Sequence, residues 1–396
     1  MVLGILLAYG APVSLDRRME QPRNDTLELM ELPPVQGVRG RIPGRSAFMS
    51  GRLGEIVTPE DFPSANVTMA PDKYDYEGNW LFCSFDNAVI RAARIGFGQG
   101  RFLWEDYGLD SAHGPGIPLA YRIEVISRSG VQACLFSRSY DRTPVESGFD
   151  PMHLRFADSH TELFRIEGWP EMIWRFQSPC GSLAMELQVS PQGLVLWPDS
   201  LLPHNTFSMC IGACTVRGVV RSAGQEVRVA GGGFYDHPRV LAETNDVAPF
   251  GWYLYAPVRF LNGTTIVGYH VEDSAGRIDE LYSAAFLTAP GGVQRWLPRL
   301  RVRNLQFDGA GRACSWEAEM NGPDVDIRYS VRIEPLALTW LWNSEASQPT
   351  LDQYLAFPLS MLVEGECTVD GVATRLEQGT GIAELLVRKG YRPEYP

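Results

Sequence analysis

The chain has 396 residues, a formal net charge of −12 at pH 7 and 21% charged residues. This length allows two domains of ordinary size, and the negative charge argues against nucleic acid as a partner because a phosphate backbone would be repelled. Seven cysteines without a CxxC pair predict neither a disulfide framework nor a zinc knuckle, so we expect buried thiols in a reducing cytoplasm.

Residues 1–59 are rich in Pro and Gly and are interpreted as a lead-in segment. Its apolar opening, from Met1 to Tyr9, lacks a basic n-region and is too short to span a bilayer. No other apolar run approaches membrane length. We therefore expect a cytoplasmic protein without integral membrane association.

The rest of the chain alternates short β-like runs with turn residues, which favours an all-β fold. Two domains are predicted, at residues 60–215 and 216–396. Strands are predicted in the first at 80–85, 101–104, 117–127, 131–137, 163–167, 172–178 and 183–189. Strands are predicted in the second at 215–221, 226–230, 252–260, 264–272, 278–287, 297–307, 313–319, 325–333, 337–342, 359–369 and 380–388. So many consecutive strands indicate a meander that closes into a barrel or sandwich.

The segment 231–237 carries the most specific chemistry. Gly231-Gly232-Gly233 predicts a bend in the chain that re-aims the following side chains toward a pocket. Asp236 beside His237 could supply a carboxylic acid that an apolar pocket keeps protonated. The alternative is that Asp236 caps a turn and His237 packs at a barrel rim. A cycloaddition would need one hydrogen-bond donor on a substrate carbonyl, and the candidate donors are Tyr235, Tyr253, Tyr255 and His270.

One hairpin can be followed residue by residue from the turn Asn262-Gly263, which is typical of a two-residue connection. This register places Tyr255 opposite His270 and Tyr253 opposite Glu272, on one aromatic and ionisable face. His270 and Glu272 could then form an oriented acid–base couple. A purely structural cross-strand bond is the alternative.

The motif Gly231 to His237, followed by Gly251-Trp252-Tyr253, resembles the lipocalin-like superfamily of hydroxyneurosporene synthases, or carotenoid 1,2-hydratases, whose relatives include cofactor-free Diels–Alder cyclases. Tyr76-Glu77 with Trp80 and Gly379-Thr380-Gly381 with Glu384 are similar to two further motifs of that superfamily. The resemblance implies two lipocalin-like antiparallel β-barrel or sandwich domains packed together. After His237 the superfamily continues with Asn or Ser and Trp-Gly, whereas this chain has Pro238-Arg239-Val240, a departure that argues against hydratase chemistry there.

These observations predict a cofactor-independent [4+2] cyclase acting on a hydrophobic polyene, polyketide or isoprenoid. An isoprenoid hydratase or dehydratase with Asp236 as the acid and a non-catalytic carrier of lipophilic ligands are the alternatives. No metal is expected because the six histidines show no HxH or HExxH spacing. The predicted catalytic residues are Tyr235, Asp236 and His237. The predicted substrate contacts are Trp80, Trp252, Tyr253, Tyr255, His270, Glu272, Trp342 and Glu384, of which the tryptophans could equally be core aromatics.

Overall fold

The structure is a computed structural model. It describes residues 56–57, 76–100, 117–127, 130–140, 144–149, 151–158, 160–197, 205–222, 224–242, 250–273, 275–278, 280, 283–307, 313–334 and 354–388. The predicted strands at 101–104 and 337–342, the predicted site residue Trp342 and all of the lead-in except 56–57 lie outside the described residues. Every element within these ranges is a strand, which confirms the all-β prediction. They contain no helix long and apolar enough to cross a bilayer.

The first sheet has twelve antiparallel strands in the order β5-β4-β3-β2-β12-β11-β10-β9-β8-β7-β6, with β1 paired to β10. Its strands are β1 (Ile56–Val57), β2 (Tyr76–Phe85), β3 (Ile90–Gln99), β4 (Ile117–Ser127), β5 (Gly130–Tyr140), β6 (Glu146–Phe149), β7 (Met152–Asp158), β8 (Thr161–Glu167), β9 (Met172–Gln177), β10 (Leu183–Trp197), β11 (Asn205–Ser222) and β12 (Gln225–Ala242).

The second sheet has nine antiparallel strands in the order β16-β15-β14-β13-β21-β20-β19-β18-β17. Its strands are β13 (Phe250–Arg259), β14 (Thr265–Asp273), β15 (Ala284–Thr288), β16 (Gln294–Leu297), β17 (Arg299–Phe307), β18 (Ala313–Gly322), β19 (Val325–Ile333), β20 (Tyr354–Val369) and β21 (Val372–Arg388). The two sheets are strongly curled, one into a half-barrel and the other into a nearly closed barrel, as expected for two lipocalin-like units.

The point at which the chain passes from the first sheet to the second lies later in the sequence than the predicted domain boundary. The predicted boundary at 215/216 falls inside β11, which pairs with β12 along its whole length. The first sheet therefore extends to Ala242, and the second begins at Phe250. β1, β3, β6, β7 and β16 are strands that the sequence patterns did not predict.

Alternation of side chains explains why each sheet has an interior. In β19 buried and exposed positions alternate strictly, so one face packs inside the second sheet and the other meets solvent. β3 and β14 are instead buried on nearly every residue. Their second faces are covered because the two sheets pack against each other there.

The contact between the sheets forms an apolar layer of its own. From the first sheet it includes Phe82, Val195, Ala213 and Phe234, and from the second it includes Tyr255, Val267, Tyr269, Val271, Ala284 and Phe286. Burial of each large side chain of this kind contributes about 1.5–3 kcal/mol. The strands β2, β3 and β12 thus lie against β13 and β21, and the candidate site is found between them.

Candidate functional site

The register of the β13–β14 hairpin differs from the prediction by one residue. Phe260 donates its N–H to the carbonyl of Thr264, so the connection is the three-residue loop 261–263 and not a two-residue Asn-Gly turn. Leu254 therefore lies opposite His270, and Tyr255 lies opposite Tyr269. The predicted pairing of Tyr255 with His270 and of Tyr253 with Glu272 is wrong, because a shift of one residue moves a strand's side chains to the opposite face.

The predicted bend at the triple glycine is also wrong. Gly231, Gly232 and Gly233 lie within the continuous strand β12, paired on one side with β11 and on the other with β2. A Cβ at Gly231 or Gly233 would collide with the main chain of β2. These glycines therefore allow close approach of two strands rather than a change of direction.

Because β12 stays extended here, Tyr235, Asp236 and His237 alternate between its two faces. Tyr235 belongs to the core of the first sheet, whereas Phe234 belongs to the layer between the sheets. Asp236 shares the face of Phe234, and His237 shares the face of Tyr235. The acid and the imidazole that the sequence placed in one pocket therefore lie on opposite sides of the strand.

Asp236 instead meets predicted site residues from other strands. It lies opposite Trp80 of β2 in the first sheet. On the other side of the contact, Tyr255 of β13 lies opposite Glu384 of β21 within the second sheet, and Tyr255 is close enough to Asp236 and Glu384 for both carboxyl groups to act on its phenol. Tyr255 is 3% exposed and Asp236 8% exposed. Tyr253 is half-buried beside this group and stacks on Tyr269 at 5.3 Å between ring centroids. We call Trp80, Asp236, Tyr253, Tyr255 and Glu384 the interface site.

Charged residues that the sequence analysis missed complete this site. Arg94 of β3 is 1% exposed and donates from Nε to Glu124 Oε2 at 2.7 Å and from Nη1 to Glu384 Oε1 at 3.0 Å. It therefore links the first sheet to the second. Arg122 Nε lies 3.4 Å from Glu124 Oε1. An ionisable residue inside an apolar run, as Arg94 and Glu124 both are, was the available signal, since such residues are buried only when paired.

The charges of the interface site leave Asp236 without a cation. The guanidinium groups of Arg94 and Arg122 match the carboxylates of Glu124 and Glu384, and Asp236 takes part in none of the ion pairs among the described residues. Its Oδ1 is buried and accepts no hydrogen bond from them. Burial and the nearby charge of Glu384 raise the pKa of Asp236 well above its usual value. These surroundings favour the protonated form of Asp236.

The same surroundings shift the pKa values of two other groups. Burial, with Asp236 and Glu384 nearby, raises the pKa of the Tyr255 phenol, and its hydroxyl has no hydrogen-bond partner among the described residues. Burial raises the pKa of Glu124 to about 7, while the contact with Arg94 opposes that rise. Glu384 is 33% exposed, so the site approaches solvent at this carboxylate.

Aromatic rings and a glycine shape the surroundings of the interface site. Phe82 packs edge-on against Tyr255 at 5.0 Å, and the Arg94 guanidinium carbon lies 5.8 Å from the centroid of Phe82. Gly96 lies opposite Trp80, and a Cβ there would come 2.7 Å from Cε3 of the indole. The glycine thus makes the room that Trp80 occupies.

Tyr235 and His237 lie inside the first sheet. The Tyr235 hydroxyl donates to Asn79 Oδ1 at 2.7 Å, and His237 Nε2 lies 3.2 Å from Glu77 Oε1. Both side chains are fully buried. They are separated from Asp236 by the thickness of β12.

Trp252, His270 and Glu272 form a third group inside the second sheet. His270 Nε2 lies 3.0 Å from Glu272 Oε1. The indole of Trp252 lies 4.9 Å from the imidazole ring of His270. Ten of the eleven predicted residues thus separate into three places, and Trp342 lies outside the described residues.

No cluster of three or more His, Cys, Asp or Glu side chains within the described ranges could hold a metal ion. The free thiols are Cys83, Cys134, Cys180, Cys214, Cys314 and Cys367.

Comparison with known proteins gives no matching family model and no matching curated sequence. Solved structures do match. An AttH protein of Nitrosomonas europaea has a TM-score of 0.53 at 11% identity, over 86% of this chain and 98% of its own. Kievitone hydratase of Nectria haematococca matches with a TM-score of 0.46 at 10% identity, over 85% and 96%. CghA solved with Sch210972 matches with a TM-score of 0.42 at 12% identity, over 80% and 89%. The likeness to AttH confirms, at the level of the fold, the lipocalin-like resemblance read from the sequence.

Proposed function

We propose that the chain is a cofactor-independent enzyme that binds a hydrophobic small molecule at the interface site, and that its reaction is a [4+2] cyclisation. The observation that carries the proposal is the pair Asp236 and Tyr255. Both are buried between the two sheets, and each has an oxygen without a hydrogen-bond partner among the described residues. Buried polar atoms of this kind are expected to meet a ligand.

The chemistry of the pair suits a cycloaddition. A protonated Asp236 and the Tyr255 phenol are both hydrogen-bond donors, because their raised pKa values keep the protons in place. Two donors on one carbonyl of the substrate would withdraw electron density from an attached alkene and stabilise the charge that develops in the transition state. The aromatic walls, including Trp80 and Phe82, would hold the reacting ends together.

Hydration of an alkene is the second candidate, and the neutral Asp236 favours it too. Asp236 would transfer its proton to one alkene carbon, water would add to the resulting cation, and a proton would return to the carboxylate. The half-buried rings of Trp80 and Tyr253 would face that cation. Water would enter beside Glu384, where the site is one-third exposed.

The substitution Asp236→Asn separates the two reactions. Asparagine keeps a donor of the same shape but has no proton to give to carbon. For cyclisation we expect a loss of about tenfold or less, whereas a hydratase would lose about 10²–10⁴-fold. The substrates are synthetic linear polyenes that carry a diene and an activated alkene. Mass spectrometry distinguishes the products, because cyclisation leaves the mass unchanged and hydration adds one water.

Tyr255→Phe tests the second donor, with Tyr329→Phe as the matched control. Tyr329 is a buried phenol inside the second sheet, away from the interface site. We expect Tyr255→Phe to slow cyclisation by about 10²-fold and Tyr329→Phe to leave it unchanged. Equal rates for the two variants would reject the site. Binding of the substrates without any product would instead support a carrier.

A further inference from the structure

The interior of the first sheet holds a second group of polar side chains, on the face of β12 opposite to Asp236. None of its five members is more than 1% exposed. The group consists of Glu77, Asn79, Gln99, Tyr235 and His237. We call it the inner polar cluster. It has no described residue in common with the interface site.

Gln99 stands out within this cluster. Neither its amide oxygen nor its amide nitrogen has a hydrogen-bond partner among the described residues, although the side chain is 1% exposed. Tyr235 and His237, by contrast, contact Asn79 and Glu77. A buried amide that makes neither of its bonds is strongly unfavourable, so a partner from outside the chain is expected to complete it.

The surroundings of Gln99 indicate the kind of partner. Glu77 lies directly opposite it on β2, and this carboxylate disfavours an anion. Tyr235 continues the cluster toward aromatic rings, since Trp174 and Trp169 lie 6.1 and 6.4 Å from it between ring centroids. Trp174 is fully buried, and its indole N–H has no partner among the described residues.

We propose that the inner polar cluster is a second binding site, which takes a hydrophobic molecule bearing a neutral amide or lactam. Such a group offers one N–H and one carbonyl, and these complement the carbonyl and N–H of the Gln99 amide. The flat apolar part of the ligand lies against the aromatic rings around Tyr235. The site goes beyond the proposed reaction and does not depend on it.

Fluorine NMR titration tests the proposal with para-fluorobenzamide as the probe. Para-fluorobenzoate and para-fluorotoluene are the comparisons, because the first carries a charge and the second lacks the polar group. We expect the benzamide to bind about tenfold more tightly than either. Equal binding of the three probes, or no binding of the benzamide, would overturn the proposal.

Two variants locate the binding. Gln99→Leu keeps the size of the side chain and removes its amide, so we expect it to weaken benzamide binding about tenfold and to raise the midpoint of thermal unfolding. Tyr329→Phe, in the core of the second sheet and outside both sites, should bind the benzamide as the unmodified protein does. Unchanged binding by Gln99→Leu would overturn the assignment, as would a lowered unfolding midpoint, since the amide would then have its partners within the chain. Benzamide binding and the cyclisation assays therefore fail or succeed independently.

Discussion

The state of Asp236 is decided by what surrounds one carboxyl group. The guanidinium groups of Arg94 and Arg122 are engaged by Glu124 and Glu384, so no cation in the described part of the chain compensates the burial of Asp236. A buried carboxylate without a cation takes up a proton instead. The same physics that makes the residue a donor also makes its folded state sensitive to pH.

We predict that the protein loses stability relative to Asp236→Asn as pH rises. The folded-state pKa of Asp236 lies well above that of an unfolded chain, about 4. The folded state therefore holds the proton more tightly, and this contribution is complete below about pH 4 and is lost as pH rises toward the folded pKa. The difference in unfolding free energy should fall by up to about 1.4 kcal/mol per pH unit in that window.

Urea unfolding of both proteins between about pH 4 and pH 8 measures this difference. Comparison with the Asn variant cancels the titration of the groups that do not interact with Asp236. A difference that stays constant over the range would mean that Asp236 is not held neutral by burial.

At the scale of single strands, the sequence predicted where many strands lie but not how they face. β4 and β19 were predicted at their observed bounds, because alternating or continuous apolar runs end at clear turn residues. The β13–β14 register was missed because Asn262-Gly263 fits both a two-residue turn and the last two residues of a three-residue loop. Only the bond from Phe260 to Thr264 separates these connections.

The prediction of a bend at the triple glycine of β12 was wrong for a related reason. Glycine permits bends, but it also permits close contact of neighbouring main chains. Which of these applies depends on β2, a strand some 150 positions earlier in the chain. The sequence thus identified Asp236 as a candidate acid, yet it could not show that His237 faces the other way.

The loop of the β13–β14 hairpin provides a test of the corrected register. Gly263 has a φ of +87° and closes the loop by donating its N–H to the carbonyl of Phe260. We predict that Gly263→Ala lowers the unfolding free energy by about 1 kcal/mol, because a Cβ is strained in this conformation. Leu261→Ala is the control, as Leu261 is 61% exposed in the same loop, and its effect should be within about 0.5 kcal/mol. Equal effects would argue against this loop conformation.

At the scale of the whole molecule, the two sheets are held together by an apolar layer with an ionic centre. Phe82 and Phe234 of the first sheet meet Tyr255 and Tyr269 of the second in that layer. Arg94 passes through it from β3 to Glu384 of β21. The sequence predicted two packed β units, but the residues at their contact come from strands far apart in the chain, so no local pattern could assign them to one surface.

Arg94 is therefore the residue whose loss should affect both sheets. Arg94→Met leaves the buried carboxylate of Glu124 without its closest cation, and we expect the unfolding free energy to fall by about 3–5 kcal/mol. The double variant Arg94→Met with Glu124→Gln should regain part of this loss, because it also removes the unpaired charge. Arg221→Met is the matched control, since Arg221 pairs with Glu226 on the surface and should cost about 1 kcal/mol or less. If Arg94→Met costs no more than Arg221→Met in urea unfolding, the ionic centre does not hold the sheets together.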